Sequence, residues 1–285
     1  SGGNSMEKVL TVEKALNNNV VIAKDHVLDE VVLIGKGIGF NRKKGDTISL
    51  NDAEKTFILS DKREMEQYQT LIRHQDPELI EFLNDIIFYI ESRMDQPLNE
   101  HIHVALTDHL SFAIKRAGGN IQFSNPFLFE IESLYAKEFQ VAHEIVDKID
   151  EKLGIKFPEG EIGFIALHIH SAITDRQIRD LNKHHELIAL MVELIEENLS
   201  VTIDKGDVNY NRLLQHLHRA IDRVHQANVL GKEQNLKNVL KMTYPTCYNL
   251  AWKLVKVMQK QLNKPVDESE VLYLTIHLQR LTNKM

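Results

Sequence analysis

LTDHLSFAIKR (106–116) recurs further along the chain as LLQHLHRAIDR (213–223), and EIGFIALHI (161–169) recurs at nearly the same offset as EVLYLTIHL (270–278). In the first pair, His109 and His216 precede Arg116 and Arg223 by two helical turns; in the second, Glu161 and Glu270 precede His168 and His277 by the same interval. His109 and His168 are separated along the chain almost as His216 and His277 are. Four residue types recurring in one order at nearly one spacing mark a duplicated module, although two copies are too few for a solenoid. A spacing of two turns places each His-Arg and each Glu-His pair along one face of a helix.

Outward from these segments, the chain reads as helix almost everywhere after residue 60. Leu79, Phe82, Leu83, Ile86, Ile87 and Ile90 follow the 3.6-residue period, as do Ile131, Leu134 and Tyr135, and later Leu187, Leu190, Met191 and Leu194. Breakers fall at Asp76-Pro77, Gly118-Gly119, Asn125-Pro126, Phe157-Pro158, Leu199 to Gly206, Tyr244-Pro245 and Lys264-Pro265. Before residue 60, β-branched runs are punctuated by Asn and Gly. They predict four or so short antiparallel strands, with turns at Asn17-Asn18-Asn19 and Lys44-Gly45-Asp46. The expected organisation is multidomain: a small antiparallel β domain over 6–60, then two all-α modules over 61–173 and 178–285. Ser1 to Ser5 read as an expression scar before a start at Met6. A domain of roughly 60 residues is marginal on its own core, which predicts that the sheet domain pairs with a second copy of itself.

Composition narrows the function. A chain of 285 residues, 43% hydrophobic and 26% charged, has no apolar run long enough for a membrane helix. One cysteine, Cys247, excludes an internal disulfide framework and multi-thiolate metal sites, and with no secretory pattern the cytoplasm is the expected compartment. With 34 Lys+Arg against 41 Asp+Glu, broad nonspecific nucleic-acid binding is disfavoured. Residues 1–60 nevertheless carry 8 basic and 8 acidic groups, so a local basic patch in the sheet domain is compatible with RNA.

The repeated histidines suit few chemistries. No compact ligand cluster suggests zinc, and no cofactor is indicated. Cys247 lies in the apolar TYPTCYNLAW segment and reads as a buried small hydrophobe rather than a nucleophile. Histidine can itself carry a phosphoryl group, and a dianion added beside an arginine would alter packing through charge. His109, His168, His216 and His277 are therefore the candidate acceptors, with Asp108, Arg116, Glu161, Arg223 and Glu270 as supporting groups. His143, His184, His185 and His225 are expected to be exposed or at the core edge. In the sheet domain, LIGKGIGF (33–40) has glycines at alternate positions, which lets a partner approach the backbone. Phe40 could stack on an unpaired base, Lys36 and Lys14 could meet phosphate, and Asn19 could pair with a base. The competing reading makes Phe40 core and Asn19 a turn residue.

Taken together, LNNNVV (16–21), LIGKGIGF (33–40), LTDHLSFAI (106–114), EIGFIALHI (161–169), LLQHL (213–217) and YLTIHLQR (273–280) resemble the antiterminators of the BglG/LicT/SacY type, over about residues 6–285. The KGIGF form is most similar to the glucose-type members, although Lys36 stands where many members have arginine, whose planar fork an ammonium cannot reproduce. The resemblance implies a co-antiterminator RNA-binding domain followed by two phosphotransferase regulation domains, each a five-helix bundle. It implies RNA contacts by Lys14, Asn17, Asn19, Gly35, Lys36, Phe40 and Arg42. It also implies a homodimer that clamps a hairpin in a nascent leader transcript, blocks an overlapping terminator and is not an enzyme. His109 and His168 would take phosphate from a sugar-specific permease, here glucose-type, and His216 and His277 from the phosphocarrier protein HPr. A phosphotransferase-regulated activator acting through DNA or protein is the alternative, but such proteins normally begin with a helix-turn-helix. The β-rich start and the chain end at Met285 favour RNA.

Overall fold

A computed structural model describes residues 9–24, 30–49, 56–117, 124–226 and 234–282. Ser1 to Ser5, Met6 and the Gly118-Gly119 breaker lie outside the described residues. The chain begins with strands β1 (Val9–Asn17), β2 (Val20–Lys24), β3 (Val31–Gly35), β4 (Thr47–Ser49) and β5 (Thr56–Leu59), forming an antiparallel sheet in the order β4-β1-β2-β3-β5. That is one strand more than the periodicity suggests. Strand β4 is too short for a local signature; it pairs with β1 and buries Ile48.

Both expected turns form. Gly45 takes φ +94°, and its N–H donates to the Val12 carbonyl at 2.8 Å while the Val12 N–H donates to the Asp46 carbonyl at 2.8 Å. Every residue of β3 is buried, so the sheet is covered on both faces at its centre. Leu10, Val12, Val21, Ala23, Leu33 and Ile48 share one apolar cluster, and Val20, Val32, Ile34 and Leu59, of alternate parity, are also buried.

Eleven helices follow among the described residues: α1 (Lys62–Arg73), α2 (Pro77–Arg93), α3 (Ile102–Ala117), α4 (Leu128–Leu134), α5 (Ala136–Leu153), α6 (Glu159–Thr174), α7 (Ile178–Leu199), α8 (Val208–Gln226), α9 (Gln234–Thr243), α10 (Pro245–Leu262) and α11 (Glu270–Thr282). The predicted breakers act as boundaries with local causes. Asp61 and Asp76 cap α1 and α2 by accepting from the Glu64 and Glu78 N–H groups, and Pro77 and Pro245 occupy first-turn positions where no N–H is needed. Asp175, Ser200 and Asn263 end α6, α7 and α10 in the left-handed region.

The chain forms two compact units. The sheet with α1–α3, α5 and α6 makes the first (residues up to 125 and 137–176), and α4 with α7–α11 makes the second (126–136 and 177–285). The 126–136 segment thus belongs with the helices that come after α6, not with its immediate neighbours in the chain. Tyr210 donates to Glu130 at 3.4 Å, the Gln215 amide donates to the Ser133 carbonyl at 3.0 Å, and Phe129 stacks on Tyr210 at 5.9 Å. His185, expected at an edge, is instead fully buried between Phe127 and Tyr135, at 5.8 and 5.6 Å, and His184 is buried as well. Both ride the apolar face of α7, where Leu181 and Ile188 are buried too.

Candidate functional site

Within the first unit, α3 and α6 lie side by side and bring their two stripes together. Glu161 enters in the first turn of α6, faces α3 and is only 1% exposed. Its Oε2 accepts from His109 Nε2 at 2.9 Å and its Oε1 accepts from the Arg116 guanidinium. A buried carboxylate is costly unless charge and hydrogen bonds answer it, and here both oxygens are answered. The imidazole of His168, two turns beyond Glu161, lies 4.9 Å from that of His109, centroid to centroid.

The second unit repeats the arrangement with α8 and α11. Glu270, 2% exposed, accepts from His216 Nε2 at 3.0 Å and from Arg223 through Nε at 2.6 Å and Nη2 at 2.9 Å. His277 lies 4.8 Å from His216. An aromatic ring flanks each pair at the same repeat position: Phe164 is 5.9 Å from His109 and Tyr273 is 5.7 Å from His216. Sequence reasoning singles out neither ring; the equivalence of positions 164 and 273 is the signal that could have found them.

The electrostatics divide labour within each pair. Burial pushes the Glu161 carboxyl up, but the His109 hydrogen bond and the His109 and Arg116 charges outweigh it, leaving its pKa below the usual range. Burial likewise raises Glu270, and the hydrogen bonds from His216 and Arg223 bring it below normal. Both carboxylates are therefore ionised at neutral pH and accept only, so the facing Nε2 of His109 and of His216 carries the proton. His168 is held down to about 3, chiefly by burial and then by His109 and His101. His277 is held down to about 4 by burial, then His216, Arg280 and Arg212. Each pair thus joins one imidazole oriented by a carboxylate to one kept uncharged, with a lone pair available to an electrophile. Since His277 Nδ1 is buried without a hydrogen-bond partner, its Nε2 is the nitrogen a reagent from solvent would reach.

Asp108 stands apart: it is exposed, and among the described residues no hydrogen bond or ion pair joins it to His109. Cys247 is buried in the core of the second unit, where burial pushes its thiol up. Among the described residues no group of three or more His, Cys, Asp or Glu side chains is placed to hold a metal. No described helix is long and apolar enough to cross a membrane.

On the sheet, the sequence-derived contact residues separate into surface and frame. Lys14, Lys36, Phe40 and Arg42 are exposed, Phe40 at 64%, and Asn17 is half-buried. Asn19 and Gly35 are buried. Asn19 Oδ1 accepts from the Gly37 N–H at 2.9 Å and its own backbone N–H donates to Asn17 Oδ1 at 2.8 Å, which ties the β1–β2 turn to the glycine loop. Gly39 closes the same contact: its N–H donates to the Asn18 carbonyl at 2.9 Å, and a Cβ there would sit 2.1 Å from the Asn17 carbonyl oxygen. Of the two readings of Asn19, the turn role is the one its contacts perform; Phe40 is not core.

Two further features have no signature in the sequence. Asn18 Nδ2 donates to Glu81 of α2 at 3.2 Å. His103, in the first turn of α3, is fully buried with its ring 4.3 Å from Phe57 of β5, so the helix bearing His109 also touches the sheet.

Comparison with known proteins agrees with this geometry. A CAT RNA binding domain family model matches residues 10–66, and a PRD domain model matches twice, over 84–172 and 190–281. The chain is 49% identical over 280 residues to the PtsGHI operon antiterminator of Bacillus subtilis (strain 168), covering 98% of this chain and 100% of that protein. It is 36% identical over 277 residues to the GlcA/glcB genes antiterminator of Staphylococcus carnosus (strain TM300), covering 96% of each. A crystal structure of GlcT CAT-PRDI is 54% identical, covers 58% of this chain and 99% of its own, and superposes with a TM-score of 0.53.

Proposed function

The chain belongs to the antiterminators that join a CAT RNA binding domain to two PRD domains, and from that membership we propose that it binds a hairpin in a nascent leader transcript and prevents formation of an overlapping terminator. We read the genes so controlled as those of glucose uptake through the sugar phosphotransferase system; the relatives above are named as antiterminators of the PtsGHI operon and of the GlcA/glcB genes. Along the chain, the RNA-binding domain is 6–60 and the regulation domains are 61–173 and 178–285, with the 126–136 segment of the first packed into the second compact unit. The sheet acts as a homodimer, which doubles the RNA surface and adds the buried area that a domain of this size lacks. Lys14, Lys36 and Arg42 meet phosphate and base edges, Phe40 stacks on an unpaired base, and Asn17, Asn19 and Gly35 hold the turn that presents them.

Control runs through the histidine pairs. A phosphorylated donor protein transfers its phosphoryl group to an acceptor imidazole: the bond between the donor's side chain and phosphorus breaks, the acceptor N–P bond forms, and the acceptor's proton passes to the departing side chain. HPr and a glucose-type permease are the donors. The added dianion lies beside a buried carboxylate, and its repulsion biases a two-state arrangement of the regulation domains. The observation that carries this reading is the duplicated His-Arg-Glu-His set joined in one chain to a sheet with an exposed Phe40 and basic surface. The test is a gel shift of the full chain with a panel of leader hairpins, before and after incubation with each phosphorylated donor. Selective binding of one hairpin that changes on phosphorylation is expected. Binding to no hairpin refutes antitermination.

A further inference from the structure

The two histidine pairs share their chemistry but not their rims. On α3 the stripe through the first pair reads Ala105, His109, Phe112, Arg116, and on α6 it reads Glu161, Phe164, His168, Ser171. The repeat-equivalent stripes of the second pair read Arg212, His216, Arg219, Arg223 on α8 and Glu270, Tyr273, His277, Arg280 on α11. Spacings of three and four keep each set on one helix face. One arginine answers one glutamate in the first unit, whereas four arginines stand against one glutamate in the second. Arg223 is committed to Glu270. Arg212, Arg219 and Arg280 are exposed, and no ion pair engages them among the described residues.

The first rim differs in kind as well as in charge. Phe112 is 61% exposed, with the Arg116 guanidinium 5.0 Å from its ring centroid, and Asp108 is exposed beside it where the second copy has Gln215. His101, whose Nδ1 is 2.8 Å from Glu64, is a further group that lowers the His168 pKa. Its repeat counterpart is Val208. The residues common to both sites are those that orient and neutralise the imidazoles; the residues that differ face outward, where an incoming group arrives.

We propose that Arg212, Arg219 and Arg280 are the specificity-determining residues of the second histidine pair: they form a cationic rim that draws in and holds an anionic phosphoryl group, while the first pair, rimmed by Phe112, accepts phosphate by protein contact and has little intrinsic attraction for the anion. This rests on the reading of both pairs as phosphoryl acceptors. A local excess of unpaired guanidinium groups raises the concentration of an anionic reagent at the rim and hydrogen-bonds its oxygens in a forked geometry. An apolar rim does neither.

Phosphoramidate, a small anionic donor with no protein surface, separates the two contributions. In the transfer its P–N bond breaks, an imidazole N–P bond forms, and the nitrogen leaves as ammonium carrying the imidazole proton. The experiment follows phosphorylation of each histidine in the full chain by mass spectrometry at low and high salt. We expect the His216/His277 pair to be labelled about fivefold faster than the His109/His168 pair at low salt, with the gap closing near 1 M, where the screening length falls to about 3 Å. Arg212→Ala with Arg280→Ser, which installs the first site's residues, slows the second pair toward the first; Phe112→Arg, at an exposed position, speeds the first. Labelling of both pairs at rates indifferent to salt and to all three substitutions overturns the cationic rim and leaves the phosphoacceptor reading intact. Labelling at none of the four histidines overturns both.

Discussion

Glu270→Gln isolates what the buried carboxylate contributes. The substitution keeps the side chain's shape but removes its charge, and it leaves one carbonyl oxygen where two carboxylate oxygens now receive three hydrogen bonds from His216 and Arg223. Removing one partner of a fully buried ion pair costs roughly 3–5 kcal/mol. The Arg223 side chain is 23% exposed and can be partly rehydrated, so the expected loss is about 2–4 kcal/mol. For a unit of this size, about 3 kcal/mol lowers Tm by roughly 10 °C. Because the carboxyl sits below its ordinary pKa in the folded state, its contribution is present above the unfolded pKa and is lost as pH falls through the folded one. The gap between wild type and Glu270→Gln therefore narrows in acid. Thermal and urea unfolding of the full chain at pH 7 and in acid measure this, and 15N-detected imidazole spectra report whether His216 keeps its Nε2 proton. Asp108→Asn, at an exposed carboxylate outside the set, is the control and stays within about 0.5 kcal/mol. A Glu270→Gln protein as stable as wild type, with His216 in its original tautomer, refutes the assignment of Glu270 as the group that orients the pair.

Phe40→Ala, at a largely exposed ring, leaves unfolding unchanged but weakens hairpin binding by about tenfold, the scale of one base-stacking contact; equal affinity places the stacked base elsewhere. Gly39→Ala forces the glycine loop off the Asn17 carbonyl, and a destabilisation of roughly 1–3 kcal/mol with lost RNA affinity is expected in urea titrations and gel shifts. His277 is uncharged in the folded protein to about pH 4, whereas the unfolded chain takes up its proton near 6.5. Its contribution is complete above that value and erodes as pH falls toward 4, and NMR titration should show its imidazole unprotonated at pH 5.5. His103, held down to about 3 by burial with neither ring nitrogen bonded, is a destabilising resident of an aromatic pocket. His103→Leu is expected to be at least as stable as wild type, by about 1 kcal/mol at pH 5.5, as read by urea midpoint.

Much of the site is legible in the sequence because helical periodicity is local. The near-constant offset between the copies, the two-turn spacings and the choice of His109, His168, His216 and His277 over their neighbours follow from residue order alone. His101, just ahead of α3, is exposed, whereas His103, two residues on and inside the helix, is fully buried. Histidine burial on α7 escapes such reasoning, because a polar residue on an apolar stripe reads as an edge until its aromatic neighbours Phe127 and Tyr135, at the two ends of α4, are known. The sheet domain is legible as β-rich with its turns, but strand β4 and the inward role of Asn19 depend on pairings that no local pattern records.

The sequence by itself determined the order of the modules, the duplication, and the four imidazoles with their glutamates and arginines, since each follows from composition or spacing within one helix. Tertiary structure alone decided that α3 meets α6 and α8 meets α11, which places each glutamate against a histidine from a distant part of the chain. It also decided which ring nitrogen is covered, which imidazole of a pair loses its charge, and that α4 joins the second unit rather than the helices beside it in the chain. Those outcomes depend on desolvation and on contacts between distant segments, and both are properties of the packed chain that residue order does not carry locally.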